Sequence, residues 1–199
     1  SSHPLSMHQS SDRYYISLII KGDTSFFATL VDRYKDMVIN LSFRMLQNRE
    51  EAEEAAQDVF VKIYKSLPQF KGDSKFSTWL YKVTYNTCID RLKNNKRNIA
   101  LVYPEYFEES ELVSLINVLD TIEETERRLM IKNCLALLPA EESFLLTLYY
   151  FREHSLKEIS TIMGIKENNL KVKLLRSRKK LAAIFIAKLE PQFIGQYGK

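Results

Sequence analysis

The sequence predicts an all-α protein made of two small helical domains joined by an acidic linker. Three observations carry this reading. Glycine and proline number only 5 each in 199 residues. Strand-like alternation is hard to find, whereas apolar residues recur at helical spacing along most of the chain. Charge is also unevenly placed. The net value is +4, yet residues 99–126 hold eight acids and no Lys or Arg, and residues 171–180 hold six bases and no acid. Such asymmetry matters more than the sum, because phosphate binding depends on local basic surface.

Taken in order, residues 14–20 predict a short apolar helix ending at Lys21, Gly22 and Asp23, with Asp23 or Thr24 placed to cap the next. Phe26, Phe27, Leu30, Val31, Tyr34, Met37, Val38, Leu41, Ser42 and Met45 form a long helical stripe. Asn48 and Arg49 mark a break. A third helix, about residues 50–67, turns Ala52, Ala55, Ala56, Val59, Phe60 and Ile63 inward. Its acidic first turn suits the helix dipole, and Pro68 ends it. A loop at residues 70–76 carries two aromatics, two lysines and a glycine. Ser77 or Thr78 then restarts a helix through Trp79, Leu80, Val83 and Leu92, which becomes basic towards residue 97. Aromatics beside bases provide what single-stranded nucleic acid needs, stacking platforms and phosphate neutralisation. The same residues also fit an ordinary core with a soluble basic end, and composition leaves both readings open.

After the acidic stretch, Leu129, Ile131, Leu135 and Leu138 lead to Pro139, and an apolar helix spans residues 144–151. Residues 155–185 predict two helices and a tight turn. Ser155 and Glu158 form an S-x-x-E capping box, and Gly164 suits the left-handed end of the first helix. Asn168 or Asn169 is placed to cap the second, whose inner stripe is Leu170, Leu174, Leu181, Ile184 and Phe185. The opposite face holds Val172, Leu175, Arg176 and Lys179, flanked by Lys171 and Lys173. With no acid between Glu167 and Glu190, the bases lack intrahelical partners, and Val172 and Leu175 put apolar groups where thymine methyls could be met. A solvated basic helix in a bundle is the plainer reading; a helix-turn-helix that enters the major groove accounts for more of the residues.

Cys88 and Cys134 have no Cys or His at metal-ligand spacing and read as free thiols in a reducing compartment. His3, His8 and His154 form no cluster. No apolar run approaches a membrane span and no signal-peptide pattern is found, so a cytoplasmic protein without membrane insertion is expected. No cofactor or metal is expected either.

The two halves together resemble bacterial RNA polymerase sigma factors of the extracytoplasmic-function class, which carry only sigma regions two and four. The resemblance runs through residues 16–97 and 129–185. Its residues are Asp23, Phe26, Phe27 and Tyr34, the stretch AEEAAQDVF at 52–60, FKGDSKFSTWLYK at 70–82, and Asn86 and Asp90. In the second half they are Leu138 and Pro139, LKEI at 156–159, Gly164 and Ile165, then Lys171, Leu174, Arg176, Arg178 and Leu181. Asn168, Asn169, Val172 and Leu175 depart from the family's usual residues, which bears on the bases read.

The resemblance implies a division of labour. Residues 1–11 are a tail, 12–98 region two, 99–126 the linker, 127–187 region four and 188–199 a second tail. Glu54, Gln57, Asp58 and Phe60 would dock on core RNA polymerase. Phe70, Lys71, Gly72, Asp73, Ser74, Lys75 and Phe76 would hold a base flipped from the minus-ten element. Trp79, Tyr81, Lys82, Asn86 and Arg91 would support strand opening. Asn168, Asn169, Lys171, Val172, Lys173, Leu175, Arg176 and Lys179 would read the minus-thirty-five element. Partners would be core RNA polymerase, promoter DNA in duplex and single-stranded form, and an anti-sigma factor. The alternative is a helix-turn-helix regulator with a helical partner-binding domain, and a helical enzyme lacks any nucleophile–base pair or metal-ligand spacing.

Overall fold

The computed structural model describes residues 11–95 and 121–197, with side chains up to residue 188. Most of the expected acidic linker lies outside the described residues. Eight α-helices are found among those described. Helix α1, Asp12–Ile20, is capped by Ser11, whose side chain accepts from the Tyr14 amide. Helix α2, Phe26–Leu46, follows Ser25, which makes no side-chain cap; the Ser25 hydroxyl instead donates to Asp23 at 2.5 Å. Gln47 closes α2 in the left-handed conformation at φ 55°. Asn48 then caps α3, Arg49–Ser66, by accepting from the Glu51 amide. A 3-10 turn, Leu67–Gln69, carries Pro68. Helix α4, Phe76–Asn94, starts one residue before the Ser77 and Thr78 expected to open it.

The second group comprises α5, Glu124–Leu135, α6, Ala140–Leu146, and a π-type turn, Thr147–Phe151. Helix α7, Leu156–Met163, has the expected capping box at Ser155 and Glu158, and Gly164 ends it at φ 68°. Helix α8 runs Glu167–Tyr197, so Asn168 and Asn169 lie in its first turn rather than capping it. It also continues through most of the stretch read as a C-terminal tail.

Two apolar clusters hold these helices. The first is confined to α1–α4 and the 3-10 turn: Ile16, Ile19, Leu30, Val38, Ala56, Val59, Ile63, Leu67, Phe76 and Leu80. The second joins both helix groups. Leu41, Met45, Ala55, Tyr81, Tyr85 and Cys88 from α2–α4 pack with Phe144, Leu145, Leu148, Ile159, Ile162, Leu170 and Phe185. Helix α4 explains how. At about 100° per residue, Phe76, Leu80, Thr84 and Thr87 fall on one side, while Tyr81, Tyr85 and Cys88 fall on the other. A helix apolar on two sides is buried on both. Its contacts with α3 and α7 confirm the sandwich. Polar links follow the same seam: Tyr85 hydrogen-bonds Glu141, Arg44 donates to the Thr147 hydroxyl at 3.4 Å, and Arg44 lies 5.8 Å over the Phe151 ring.

Candidate nucleic-acid interface

The loop ahead of α4 is shaped by its own aromatics. Phe70 stacks on Trp79 with ring centroids 4.9 Å apart and planes 15° apart. Phe76 is buried and meets both rings edge-on. Gly72 takes φ 73°, a conformation that favours glycine, and its carbonyl accepts from Arg13 at 3.4 Å. Between this loop, the end of α3 and α4 lies a cleft of about 610 Å³. Phe70, Lys71, Gly72, Asp73, Ser74, Trp79 and Asn86 line it, together with Lys62, Ser66, Gln69, Val83 and Thr87. The cleft offers an aromatic wall, amide and hydroxyl partners for a base edge, and two lysines for phosphate.

Of the residues expected around strand opening, Trp79, Lys82 and Asn86 share the outer face of α4. Lys75 and Phe76 stand outside the cleft, Lys75 as the residue before α4. Two others point elsewhere. Tyr81 is 6% exposed and packs edge-on against His154 with centroids 4.7 Å apart, beneath the second helix group. Arg91 turns towards α3. Its guanidinium donates to Asp58 at 2.5 Å and to Glu54 at 3.4 Å. Lys62, Ser66, Gln69 and Thr87 were not legible as cleft residues, because their place depends on how α3 lies against α4. Lys62 and Thr87 are themselves joined at 3.0 Å across that contact.

On α3, Glu54, Gln57 and Asp58 are exposed on one face, while Phe60 is half-buried against the first core. Val61 and Tyr64 extend the exposed face at 51% and 44%. On α8, Asn168, Asn169, Lys171, Val172, Leu175 and Arg176 are exposed. Lys173 differs: it pairs with Glu141 at 2.7 Å, and Lys180 pairs with Glu142 at 2.8 Å. The partners missing within α8 are thus supplied by α6. Leu175 and Lys179 border an apolar groove of about 730 Å³, which also takes in Ile131, Tyr150, Phe151 and Phe185. Arg178 lies 5.4 Å from the centroids of both Tyr149 and Tyr150.

His154 sits in the seam between the helix groups. Burial lowers its affinity for a proton, Arg152 and Lys75 add to this, and Glu158 and the Leu148 backbone oppose it. Its Nδ1 is buried without a partner. A histidine with a depressed folded-state pKa binds more protons unfolded than folded. The stability it contributes is therefore present above the unfolded value of about 6.5 and is lost as pH falls below it. His154→Gln should flatten the acid limb of a stability–pH curve just below about pH 6.5. An unchanged slope in urea titrations would show that His154 protonates freely in the fold.

A helix-turn-helix in a chain that also carries an aromatic, lysine-bearing cleft points to a DNA-binding protein. The family comparisons narrow this class. The Sigma-70 region 2 model matches residues 30–98, and the Sigma-70, region 4 model matches residues 128–181. The ECF RNA polymerase sigma factor SigW of Bacillus subtilis is 32% identical over 179 residues, 83% of this chain and 92% of that protein. The ECF RNA polymerase sigma-E factor of Escherichia coli K12 is 28% identical over 176 residues, 85% of this chain and 92% of that protein. CnrH, solved with the cytosolic domain of CnrY, shares the fold at TM-score 0.57 and 19% identity, over 89% of this chain and 99% of that one. The chain belongs to the extracytoplasmic-function sigma factors of the sigma-70 family. It is a transcription initiation factor that binds core RNA polymerase and recognises promoter DNA. Among the described residues no helix is long and apolar enough to cross a membrane.

Proposed function

We propose that residues 12–98 dock core polymerase and take up the minus-ten element, that 127–187 read the minus-thirty-five element, and that 99–126 link the two. Helix α3 docks through Glu54, Gln57 and Asp58, with Phe60 fixing the helix on its core. The cleft walled by the Phe70–Trp79 stack receives one unpaired base, and this stack is the observation that carries the reading. Flipping a base costs a few kcal/mol, which stacking and backbone contacts offset. On α8, Arg176 is placed to pair with a guanine, Val172 and Leu175 with thymine methyls, and Lys171 with phosphate. The polymerase supplies the chemistry of RNA synthesis; this chain positions DNA and acts in the cytoplasm.

A further part of the proposal is control by an anti-sigma factor. One fold relative, RpoE of Bartonella quintana, was solved with the anti-sigma factor NepR. The groove bordered by Leu175 and Lys179 is an apolar surface that such a partner can cover. Partner and promoter would then compete for one edge of α8.

The minus-ten reading is tested with short oligonucleotides. In complex with core polymerase, a single-stranded minus-ten strand is expected to bind more tightly than its duplex. Trp79→Ala should cost this binding roughly tenfold, since base–aromatic stacking is worth about 1–3 kcal/mol. Equal binding of strand and duplex, unchanged by Trp79→Ala, would remove the cleft from the mechanism.

A further inference from the structure

The contact between Arg91 and α3 brings together two sets of residues that the sequence assigned to different partners. Glu54 and Asp58 lie one turn apart on α3, with 63% and 53% of their side chains exposed. Arg91, from the last turns of α4, is 26% exposed and reaches both carboxylates from beneath. The planar guanidinium suits this, because its fork can serve two carboxylates where an ammonium is a single point charge. The carboxylates keep outward surface for another cation, whereas Arg91 directs one terminal nitrogen to each of them.

We propose that Arg91 is a positioning residue exchanged between the two partners of the sigma factor: held by Asp58 and Glu54 in the free protein, and released to the promoter backbone when polymerase takes those carboxylates. The proposal rests on α3 being the docking helix. Its physical basis is electrostatic. In the free chain the Arg91 charge is offset by two carboxylates, although Lys93 leaves the last turn of α4 basic, so Arg91 itself is withheld from phosphate. A polymerase surface that supplies cations to Glu54 and Asp58 removes that obstacle. The exchange is easily made, because exposed ion pairs are weak and screened by salt. Arg91 of the free sigma factor is thereby kept off DNA, and its contact is licensed only after docking.

The test uses the full chain without polymerase and a plain 20-base-pair duplex, followed by fluorescence anisotropy across a salt series. Glu54→Gln with Asp58→Asn keeps side-chain shape and removes both charges. This variant is expected to bind duplex several-fold more tightly and to steepen the log–log salt slope by about one. Adding Arg91→Ala should abolish the gain. Unchanged affinity in the first variant overturns the exchange, and so does a gain that persists without Arg91, which would reflect lost repulsion alone. Core polymerase binding is measured on the same variants. Weakened docking with no gain in DNA binding leaves α3 as the docking helix and sinks the exchange. A gain in DNA binding with normal docking removes the polymerase as the trigger and overturns the proposal as stated. Matching thermal unfolding curves confirm that each variant is folded.

Discussion

Tethering α4 to α7 is expected to abolish promoter-directed transcription. In the free chain these helices are packed against each other, with Tyr81 on α4 meeting His154 just ahead of α7. The two promoter elements that the proposed surfaces read lie about 25 base pairs apart, or roughly 85 Å at 3.4 Å per base pair. Helices in direct contact cannot reach both ends of that span on one duplex, so the seam must part. Tyr81→Cys with His154→Cys, joined by a short cleavable bismaleimide, holds it shut. Cys88→Ala and Cys134→Ala in the same background remove the native thiols, so that the introduced pair alone can react. Multi-round transcription from a promoter with both elements should fall at least tenfold, about 1.4 kcal/mol or more in effective free energy, and recover on cleavage. Docking on core polymerase should persist, since Glu54, Gln57 and Asp58 stay exposed. Full transcription from the tethered chain would mean that transcription does not require the seam to open.

Phe144→Ala should destabilise the whole chain by about 3–5 kcal/mol, the usual cost of emptying a buried aromatic site. Phe144 is 2% exposed, and its ring centroid lies 4.8 Å from that of Tyr85 on the other side of the seam. The loss therefore falls on the cluster that joins both helix groups. The thermal midpoint should drop by roughly 6–20 °C for a chain of this size. A drop of only a degree or two would show that the two groups do not share a core. Tyr85→Phe tests the polar part of the same seam. It deletes the hydroxyl that meets Glu141, whose carboxylate also pairs with Lys173 on α8.

Both predictions turn on features that local sequence patterns carry unequally. Helix existence, type and many ends follow from nearest-neighbour chemistry. Ser155 and Glu158 sit three residues apart and close a capping box, Gly164 takes the left-handed end, and Asn48 caps α3. The aromatic loop and the basic helix were equally legible, because stacking and phosphate binding depend on residue type and short spacing. Boundaries slipped where capping failed. Ser25 bonds to Asp23 rather than to its own helix, and α8 begins before the asparagines.

What the sequence alone determined, then, is an all-helical chain with an aromatic loop, an acidic stretch and a helix-turn-helix, each specified by contacts within about four residues. Tertiary structure decided which faces meet. Helix α4 carries two apolar stripes, and nothing local states that Tyr81, Tyr85 and Cys88 will be covered by Phe144 and Ile159. Arg91 and Lys173 look like free cations in sequence, but acids 33 and 32 residues away by number, Asp58 and Glu141, neutralise them across helix contacts. The physical reason is range. Propensity and capping act along the chain, whereas burial and ion pairing act through space, and only packing brings those partners together.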